Sequence, residues 1–528
     1  MNFSGNTGQP KRKSDPIAMN PMTWRELAGH GNAVLPHIVV AATICAVVVA
    51  DLLVPLRSSR RVCGGIALGG TMLAFLLLVA RFAPSASTGA TFRGMFVHDQ
   101  AGTVFNAILL IGTAGVILFS LRSRELESFR HGEYFSLILG GLMGAMFLVA
   151  SDHFVLFIIG METLSIGSYV LAGSDKHNRL SAEASLKYLV YGAVASGVML
   201  FGISYWYGLT GTLSLGAGGA ELVRMAAAGL VNPLGILLVL ALILAGVGFK
   251  CAMVPFHFWC PDVYQGAPTP VTAFLAVVSK TAGFGALLRI MLPFFTAGGT
   301  GGMGADILPI LFGILAVVTM TFGNLAAIRQ TDVKRLLAYS SIAHAGYLLL
   351  GLTVYRADAI EAILFYLFVY LFMNLGAFWV AMAVINRAGR SDIGAFRGMA
   401  SRSPVLATTM FIFLIALTGL PPTAGFVGKF MIFKVVIAAG LGHMPATGLL
   451  TPMALFYFTI AVIGVLNSAV SLYYYMTIMR AMAFEAPEEN AVEENAWDRV
   501  YALGLAVPTV VLLHFSPVLA IIRLAAGG

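Results

Sequence analysis

Long apolar segments, separated by short polar loops, run along almost the whole chain. The first, from about Leu35 to Val54, is long enough to cross a bilayer and has no clear small-residue cleavage site, so it predicts a membrane helix and not a signal peptide. Comparable segments follow at 62–80, 101–121, 134–150, 153–172, 187–209, 234–260, 270–295, 305–328, 336–354, 359–385, 404–440, 453–480 and 499–523. The pattern predicts an all-α polytopic membrane protein with about 14 transmembrane helices.

Prolines in two of these segments predict broken helices. Pro255 interrupts the seventh segment, and the twelfth, which is too long for one straight helix, contains Pro421-Pro422 and is expected to form two half-helices. Proline has no N–H, so the carbonyls of Cys251, Leu417 and Thr418 lose their helical partners. Protein or water must satisfy such groups inside a bilayer, which indicates that the broken helices line hydrated cavities.

The two breaks lie five segments apart, and this spacing predicts an internal repeat. Because five is odd, equivalent helices of two five-helix units would cross the membrane in opposite directions, as in the inverted repeats of secondary transporters. The expected organisation is a polar N-terminal extension at 1–33, helices 1–3 at 34–133, a first repeat unit (helices 4–8) at 134–300, a second (helices 9–13) at 301–485 and helix 14 at 486–528.

Composition supports the membrane assignment. The chain has 528 residues, of which 59% are hydrophobic and 11% charged, with a mean hydropathy of +0.87. A soluble domain carries about 25% charged residues. The net charge of +8 is scattered through short loops, which is typical of membrane topology and not of a nucleic-acid-binding patch.

The loop charges also predict an orientation. If the first turn is cytoplasmic, the basic residues on that side are Arg57, Arg60, Arg61, Arg122, Arg124, Arg130, Lys176, Arg179, Arg329, Lys334, Arg335, Arg387, Arg390, Arg397, Arg402, Arg480 and Arg499. The opposite loops and the C-terminal end contain only Arg81, Arg93, Arg224, Arg356 and Arg523. The positive-inside rule therefore places both termini outside the cytoplasm. The N-terminal extension is expected to be disordered, and Met19 and Met22 are alternative start sites.

No motif in the sequence indicates a bound cofactor or a metal. The cysteines at 45, 63, 251 and 260 form no CxxC pair, and the spacing of His257 to its flanking cysteines argues against a metal site. No GxGxxG motif, Walker loop or nucleophile elbow is present. We therefore expect neither a hydrolytic centre nor a resident redox group in this chain.

Ionisable residues well inside apolar segments are the main candidates for function. They are Glu162, Lys187, Lys250, Lys280, Lys429 and Lys434. A lysine at a helix centre costs about 2.5–3.5 kcal/mol on insertion scales. A lysine near a helix end can instead extend its amine to the interface, which is called snorkelling. Snorkelling explains Lys434 as well as a functional role does and explains Lys187 less well. It fits Glu162 and Lys280 poorly.

The alternative to snorkelling is a proton relay. Desolvation disfavours the charged form of a buried amine and a nearby carboxylate favours it, so an amine between these influences can load and release a proton. Glu162 and Lys187, on adjacent helices, are expected to form such a pair. Lys250 and Lys429 lie near the two breaks. His344, whose side chain has an unperturbed pKa of about 6.5, suits a proton carrier between the halves, although a structural histidine is as good an explanation.

Several of these motifs together resemble subunit N of bacterial NADH–quinone oxidoreductase, respiratory complex I. They are GMETLSIGSYVLAG, SAEASLKYLVYGAVASG, FKCAMVPFHFWCPDVYQGAPTPVTAFLAVVSK, DVKRLLAYSSIAHAGYLLLG and GLPPTAGFVGKF. The resemblance covers roughly residues 34–523. The chain differs from the family in its basic N-terminal extension and in His37, where the family more often has glutamate.

The resemblance implies fourteen helices, inverted repeats of five, and redox-driven proton pumping. It implies relay roles for Glu162, Lys187, Lys250, Lys280, His344 and Lys429. FMN, the iron–sulfur clusters, NADH and quinone would be bound by other subunits, and the partners of this chain would be other membrane subunits and the lipid bilayer. A subunit of an Mrp-type cation/proton antiporter and a membrane scaffold without a transport role are the alternatives.

Overall fold

The computed structural model describes residues 24–80, 89–127, 129–176, 178–297, 304–354, 356–445, 449–487, 495–512, 519, 522 and 523. Its helices are α1 (Trp24–Leu53), α2 (Leu56–Ala80), α3 (Gln100–Ser120), α4 (His131–Val149), α5 (Phe154–Ala172), α6 (Arg179–Thr210), α7 (Leu215–Ala227), α8 (Pro233–Cys251), α9 (Trp259–Gly266), α10 (Thr269–Phe274), α11 (Lys280–Ala297), α12 (Gly304–Ala327), α13 (Val333–Gly351), α14 (Ala357–Ala388), α15 (Met399–Arg402), α16 (Pro404–Thr418), α17 (Ala424–Gly442), α18 (Pro452–Phe484) and α19 (Ala496–Val511). A π-helical turn (Leu275–Ser279) joins α10 to α11, and 3₁₀ turns occur at Arg124–Leu126 and Ile393–Phe396. Two short strands, β1 (Gly89–Thr91) and β2 (Phe96–His98), pair antiparallel, with Ala90 opposite Val97.

Twelve helices among the described residues are long and apolar enough to cross a membrane, so the polytopic membrane class is confirmed. Two predicted spans are not among these twelve. The segment at 336–354 forms α13, whose polar and charged residues lower its hydropathy. The segment at 499–523 is described as a helix only up to Val511, and most residues beyond it lie outside the described part of the chain.

The N-terminal helix begins earlier than predicted. The helix α1 begins at Trp24, inside the stretch interpreted as a polar extension, because its Arg, Glu, Leu and Ala residues are good helix formers. Residues 1–23, which include the alternative starts, lie outside the described residues.

The two predicted breaks are confirmed. The helix α8 ends at Cys251, where Ala252 adopts a left-handed conformation (φ 55°), and the chain resumes helix only at Trp259. Helix α16 ends at Thr418, with Gly419 left-handed (φ 85°), and α17 begins at Ala424. Both connections contain a cis prolyl bond.

A central layer of buried helices positions the candidate residues. Every residue from Thr269 to Leu287 is buried, and so is nearly every residue of α13. Helix α13 packs against α9, α12, α14 and α17, whereas α6 and α18 expose wide apolar faces at the periphery. The polar α13 is tolerated because other helices, not lipid, surround it.

Candidate functional site

Lys250 lies in the last turn of α8, at the first helix break. Its side chain is buried, and Nζ has no hydrogen-bond partner among the described residues. The amine lies 5.8 Å from the centre of the Tyr188 ring, within cation–π range, and Glu162 is close enough to act on it electrostatically. A buried amine without a hydrogen bond is costly, so its presence at a break is a sign of function rather than of stability.

Glu162 and Lys187 do not form the predicted pair. Glu162, on α5, accepts a hydrogen bond from the Ser196 hydroxyl at 2.6 Å. Lys187, on α6, instead lies 2.7 Å from a carboxylate oxygen of Glu183 and 2.6 Å from one of Asp262. The prediction failed because it considered only residues inside the spans, whereas Asp262 comes from the second half of the broken helix.

Asp262 joins the two halves of the chain through ion pairs. One carboxylate oxygen binds Lys187, and the other binds the guanidinium of Arg335 at the start of α13. Burial alone would raise the pKa of this carboxyl, but the hydrogen bonds and charges of Lys187 and Arg335 outweigh burial and lower it. Asp262 is therefore a stable anion at neutral pH. It stands in the motif CPDVYQG, but nothing in the sequence indicates its partners.

Lys280 begins α11, directly after the π-helical turn, a distortion often found at functional sites. Its buried amine donates to both the backbone carbonyl and the hydroxyl of Ser341 on α13. The Tyr370 hydroxyl donates to the same serine oxygen at 2.9 Å. Close packing joins this segment to the first break, since a Cβ at Gly283 would come within 3.1 Å of the Lys250 Cβ.

His344 is buried one helical turn after Ser341, and its Nδ1 hydrogen-bonds to the Tyr366 hydroxyl. Its ring centre lies 5.2 Å from that of Tyr370 and 5.8 Å from that of Tyr347. Tyr366 and Tyr370 stand four residues apart on α14, on one helix face. The histidine thus lies between the Lys280 cluster and the second break.

Lys429, on α17, occupies the second break. Its buried amine donates to the carbonyls of Leu417 and Thr418, at 3.0 and 2.9 Å, and lies 4.2 Å from the centre of the Tyr347 ring. These are the carbonyls that the prolines deprive of helical partners. Ser468 on α18 is a third contact, at 3.4 Å. Lys434, by contrast, is exposed, which agrees with the snorkelling interpretation.

The structure therefore brings most of the predicted residues into two connected groups. Glu162 and Lys250 belong to the first half. The rings of Tyr370 and Tyr347 lie between Lys280, His344 and Lys429, since Tyr370 contacts Ser341 and the His344 ring, and Tyr347 contacts the His344 ring and the Lys429 amine. Lys187 is tied to Asp262 instead. The residues that sequence reasoning missed are Ser196, Asp262, Arg335, Tyr366, Tyr370 and Ser468, all of which lie far along the chain from the side chains they contact.

Among the described residues, no group of three or more His, Cys, Asp or Glu side chains is arranged to hold a metal ion. The four cysteines are free thiols. His257 is buried beside Phe322, with ring centres 4.4 Å apart, and belongs to no group of metal-binding side chains among the described residues.

These features define a polytopic helical membrane protein with a buried lysine at each of two helix breaks. Residues 151–454 match the family described as NADH:quinone oxidoreductase/Mrp antiporter, transmembrane, and the chain belongs to this family. It is 40% identical to NADH-quinone oxidoreductase subunit N 2 of Sorangium cellulosum over 498 residues, 92% of this chain and 94% of that protein. The predicted resemblance to subunit N is thereby confirmed.

Solved structures show the same fold. A chain of respiratory complex I from Thermus thermophilus with bound aureothin is 31% identical, with a TM-score of 0.73 over 93% of this chain and all of that one. A chain of the Mrp complex from a Dietzia species has a TM-score of 0.74 over 96% of this chain and 97% of its own. At 20% identity, this second likeness concerns the fold alone.

Proposed function

We propose that this chain is a proton-translocating membrane subunit of an NADH–quinone oxidoreductase, with no redox centre of its own. The observation that carries the proposal is the series of buried cations, two of them at helix breaks, in a chain that belongs to this family. The 40% identity to a subunit N favours this function over an Mrp-type antiporter, whose solved relative is only 20% identical.

In this proposal the whole complex is a translocase. Other subunits bind FMN, the iron–sulfur clusters, NADH and quinone, and this chain contacts neighbouring membrane subunits and lipid. We further propose fourteen transmembrane helices in a bacterial inner membrane, two inverted five-helix units at 134–300 and 301–485, and periplasmic termini. The two similar breaks and the excess of basic residues in alternate loops support this arrangement.

The first half of the relay consists of Glu162, Lys187, Lys250 and Lys280. Lys250 has no hydrogen-bond partner in the described part of the chain, so its amine is free to exchange a proton when the charge of Glu162 changes. Lys187 contributes a positive charge that its ion pairs hold beside Asp262 and Glu183.

The second half consists of His344 and Lys429. The Ser341 and Tyr370 hydroxyls lie between Lys280 and His344, and hydroxyl groups can both donate and accept a proton. The carbonyls at the second break hold the Lys429 amine in place without neutralising it.

Substitution of the central residues tests this function. We expect Lys280→Ala and Glu162→Ala to lower the number of protons pumped per electron in the assembled complex, because each removes a protonatable group from the path. Lys280→Met removes the amine but nearly keeps the side-chain volume, so a lower ratio in this variant cannot be caused by a packing defect. The measurement is the proton-to-electron ratio in vesicles that contain the purified complex.

The exposed loop residue Lys176 supplies a control, and Lys176→Ala should leave the ratio unchanged. Wild-type ratios in Lys280→Met and Glu162→Ala would overturn the relay. Absence of NADH dehydrogenase activity from the purified complex, together with sodium/proton exchange, would favour the antiporter instead.

A further inference from the structure

An apolar groove runs along the outer side of α17 and ends beside the relay residue Lys429. Its volume is about 620 Å³, within the range of about 300–1,000 Å³ typical of ligand sites. Phe430, Ile437 and Leu441 of α17 form an exposed apolar wall, and Val465 of α18 lies opposite. Lys434 stands at its edge, and Lys429 and Ser468 line its inner end.

The exposed amine of Lys434 lacks a counter-ion in the part of the chain that the structure describes. It makes no ion pair or hydrogen bond with any residue that the structure describes. The residue lies eight positions before the end of α17, or about 12 Å along the helix axis, and therefore within the bilayer. A cation at this depth is costly unless its long side chain carries the amine toward the water and lipid headgroups at the interface.

The helices around the groove cannot supply that counter-ion. Helices α16, α17 and α18 contain no Asp or Glu. The neighbouring α14 has two acidic residues, Asp358 and Glu361, and these pair with Arg356 and Arg523 respectively. The positive charge is thus left on the outer surface of the helices, next to the apolar groove.

We propose that this groove binds an anionic phospholipid of the surrounding bilayer. The phosphate lies at the Lys434 amine and one acyl chain lies along the apolar wall. An acyl chain gains little by leaving other lipid tails for an apolar helix surface, so the headgroup charge provides the selectivity. One lysine near the surface contributes about 1 kcal/mol, which corresponds to a roughly fivefold preference for an anionic over a zwitterionic lipid.

The bound lipid has a consequence for the buried end of the groove. An acyl chain that fills the groove covers the side of Lys429 that lines the groove and excludes water from this lysine. This step rests on the proposed function, whereas the binding itself does not.

Photocrosslinking measures the binding directly. The purified complex is placed in phosphatidylcholine vesicles that contain traces of either phosphatidylglycerol or phosphatidylcholine with a photoreactive acyl chain. The labelled α17 peptide is then quantified by mass spectrometry. We expect roughly fivefold more labelling by phosphatidylglycerol. Lys434→Gln should abolish the preference, Lys434→Arg should retain it, and Ala438→Phe, which fills the groove, should reduce labelling by both lipids.

A second apolar groove on the same protein supplies a matched control. It has a volume of about 270 Å³, lies near Phe411 and Met479, and has no charged residue in its lining. Labelling there should show no headgroup preference and no response to Lys434→Gln. Equal labelling of α17 by both lipids, or crosslinks from α17 to a neighbouring subunit in place of lipid, would overturn the proposal. Neither result depends on proton pumping, so the proposed function is tested separately.

Discussion

At the scale of single residues, the buried lysines differ in how their amines are satisfied. Lys429 is held by two backbone carbonyls and Lys280 by one serine, whereas Lys250 has no hydrogen-bond partner among the described residues. The energetic cost of keeping an amine charged therefore falls most heavily on Lys250. In the proposed relay, this makes Lys250 the amine that responds most readily to a change in the charge around it.

Asp99 provides a residue-scale test of stability that is separate from transport. It caps α3 by accepting from the Gly102 N–H, and it forms a bidentate ion pair with Arg289 of α11, both largely buried. Burial alone would raise the pKa of the Asp99 carboxyl, but the charge and hydrogen bonds of Arg289 lower it below its usual value. A lowered folded-state pKa means that the ion pair stabilises the protein above the unfolded pKa of about 3.9.

We expect Asp99→Asn to reduce the free energy of unfolding by about 2 kcal/mol at neutral pH. The deficit should persist down to about pH 4 and shrink below it, because the wild type then protonates Asp99 and loses the same interaction. Thermal denaturation of the detergent-solubilised protein at several pH values measures this. Glu221→Gln, at an exposed pair with Arg224, should have no measurable effect. A deficit that grows with acidification would contradict the assignment.

At the scale of helices, the sequence predicted the breaks but not all of their contacts. The prolines showed which carbonyls would be freed, and Lys429 was identified by its distance from them along the chain. Its amine binds those carbonyls because the first turns of α17 pack against the end of α16. The pairing of Lys187 with Asp262 could not be predicted in the same way, since it depends on how α6 packs against α9.

Gly419 provides the element-scale test. This residue ends α16 in a left-handed conformation, and a Cβ there would lie 2.7 Å from the Lys429 Cδ. Alanine would be strained by about 1–2 kcal/mol and would displace the lysine side chain. We expect Gly419→Ala to lower the thermal stability and the proton-to-electron ratio together.

The matched control for Gly419→Ala lies at the end of α17. A Cβ at Gly442 would meet no atom within 4 Å, and its backbone is helical. Gly442→Ala should therefore behave as wild type in both measurements. If Gly419→Ala retained full stability and pumping, the break would not be needed to hold Lys429.

At the scale of the whole molecule, the central helix α13, which carries His344, is too polar to be recognised as a membrane helix from its mean hydropathy. Helix α13 is not among the twelve long apolar helices, yet it lies at the centre of the fold and contributes Ser341, His344 and Arg335. The apolar runs predicted most of the helices because lipid selects for them. They could not predict which helix is central, because a helix surrounded by protein is free to be polar.

Asp262 is where this central helix is tied to the first half of the chain, so its charge should matter to the molecule as a whole. Asp262→Asn breaks the ion pairs to Lys187 and Arg335 at once, and among the described residues it leaves Lys187 paired with Glu183. We expect about 1 kcal/mol lower stability, since the site is partly exposed, and a reduced proton-to-electron ratio in an assembled complex. Glu183→Gln removes the other partner of Lys187 without separating the halves and should change the ratio little. If Glu183→Gln impaired pumping as much as Asp262→Asn, the cause would be the release of Lys187 from its carboxylate partners and not the loss of the link to Arg335. If neither variant impaired pumping, Asp262 would have no part in coupling the halves.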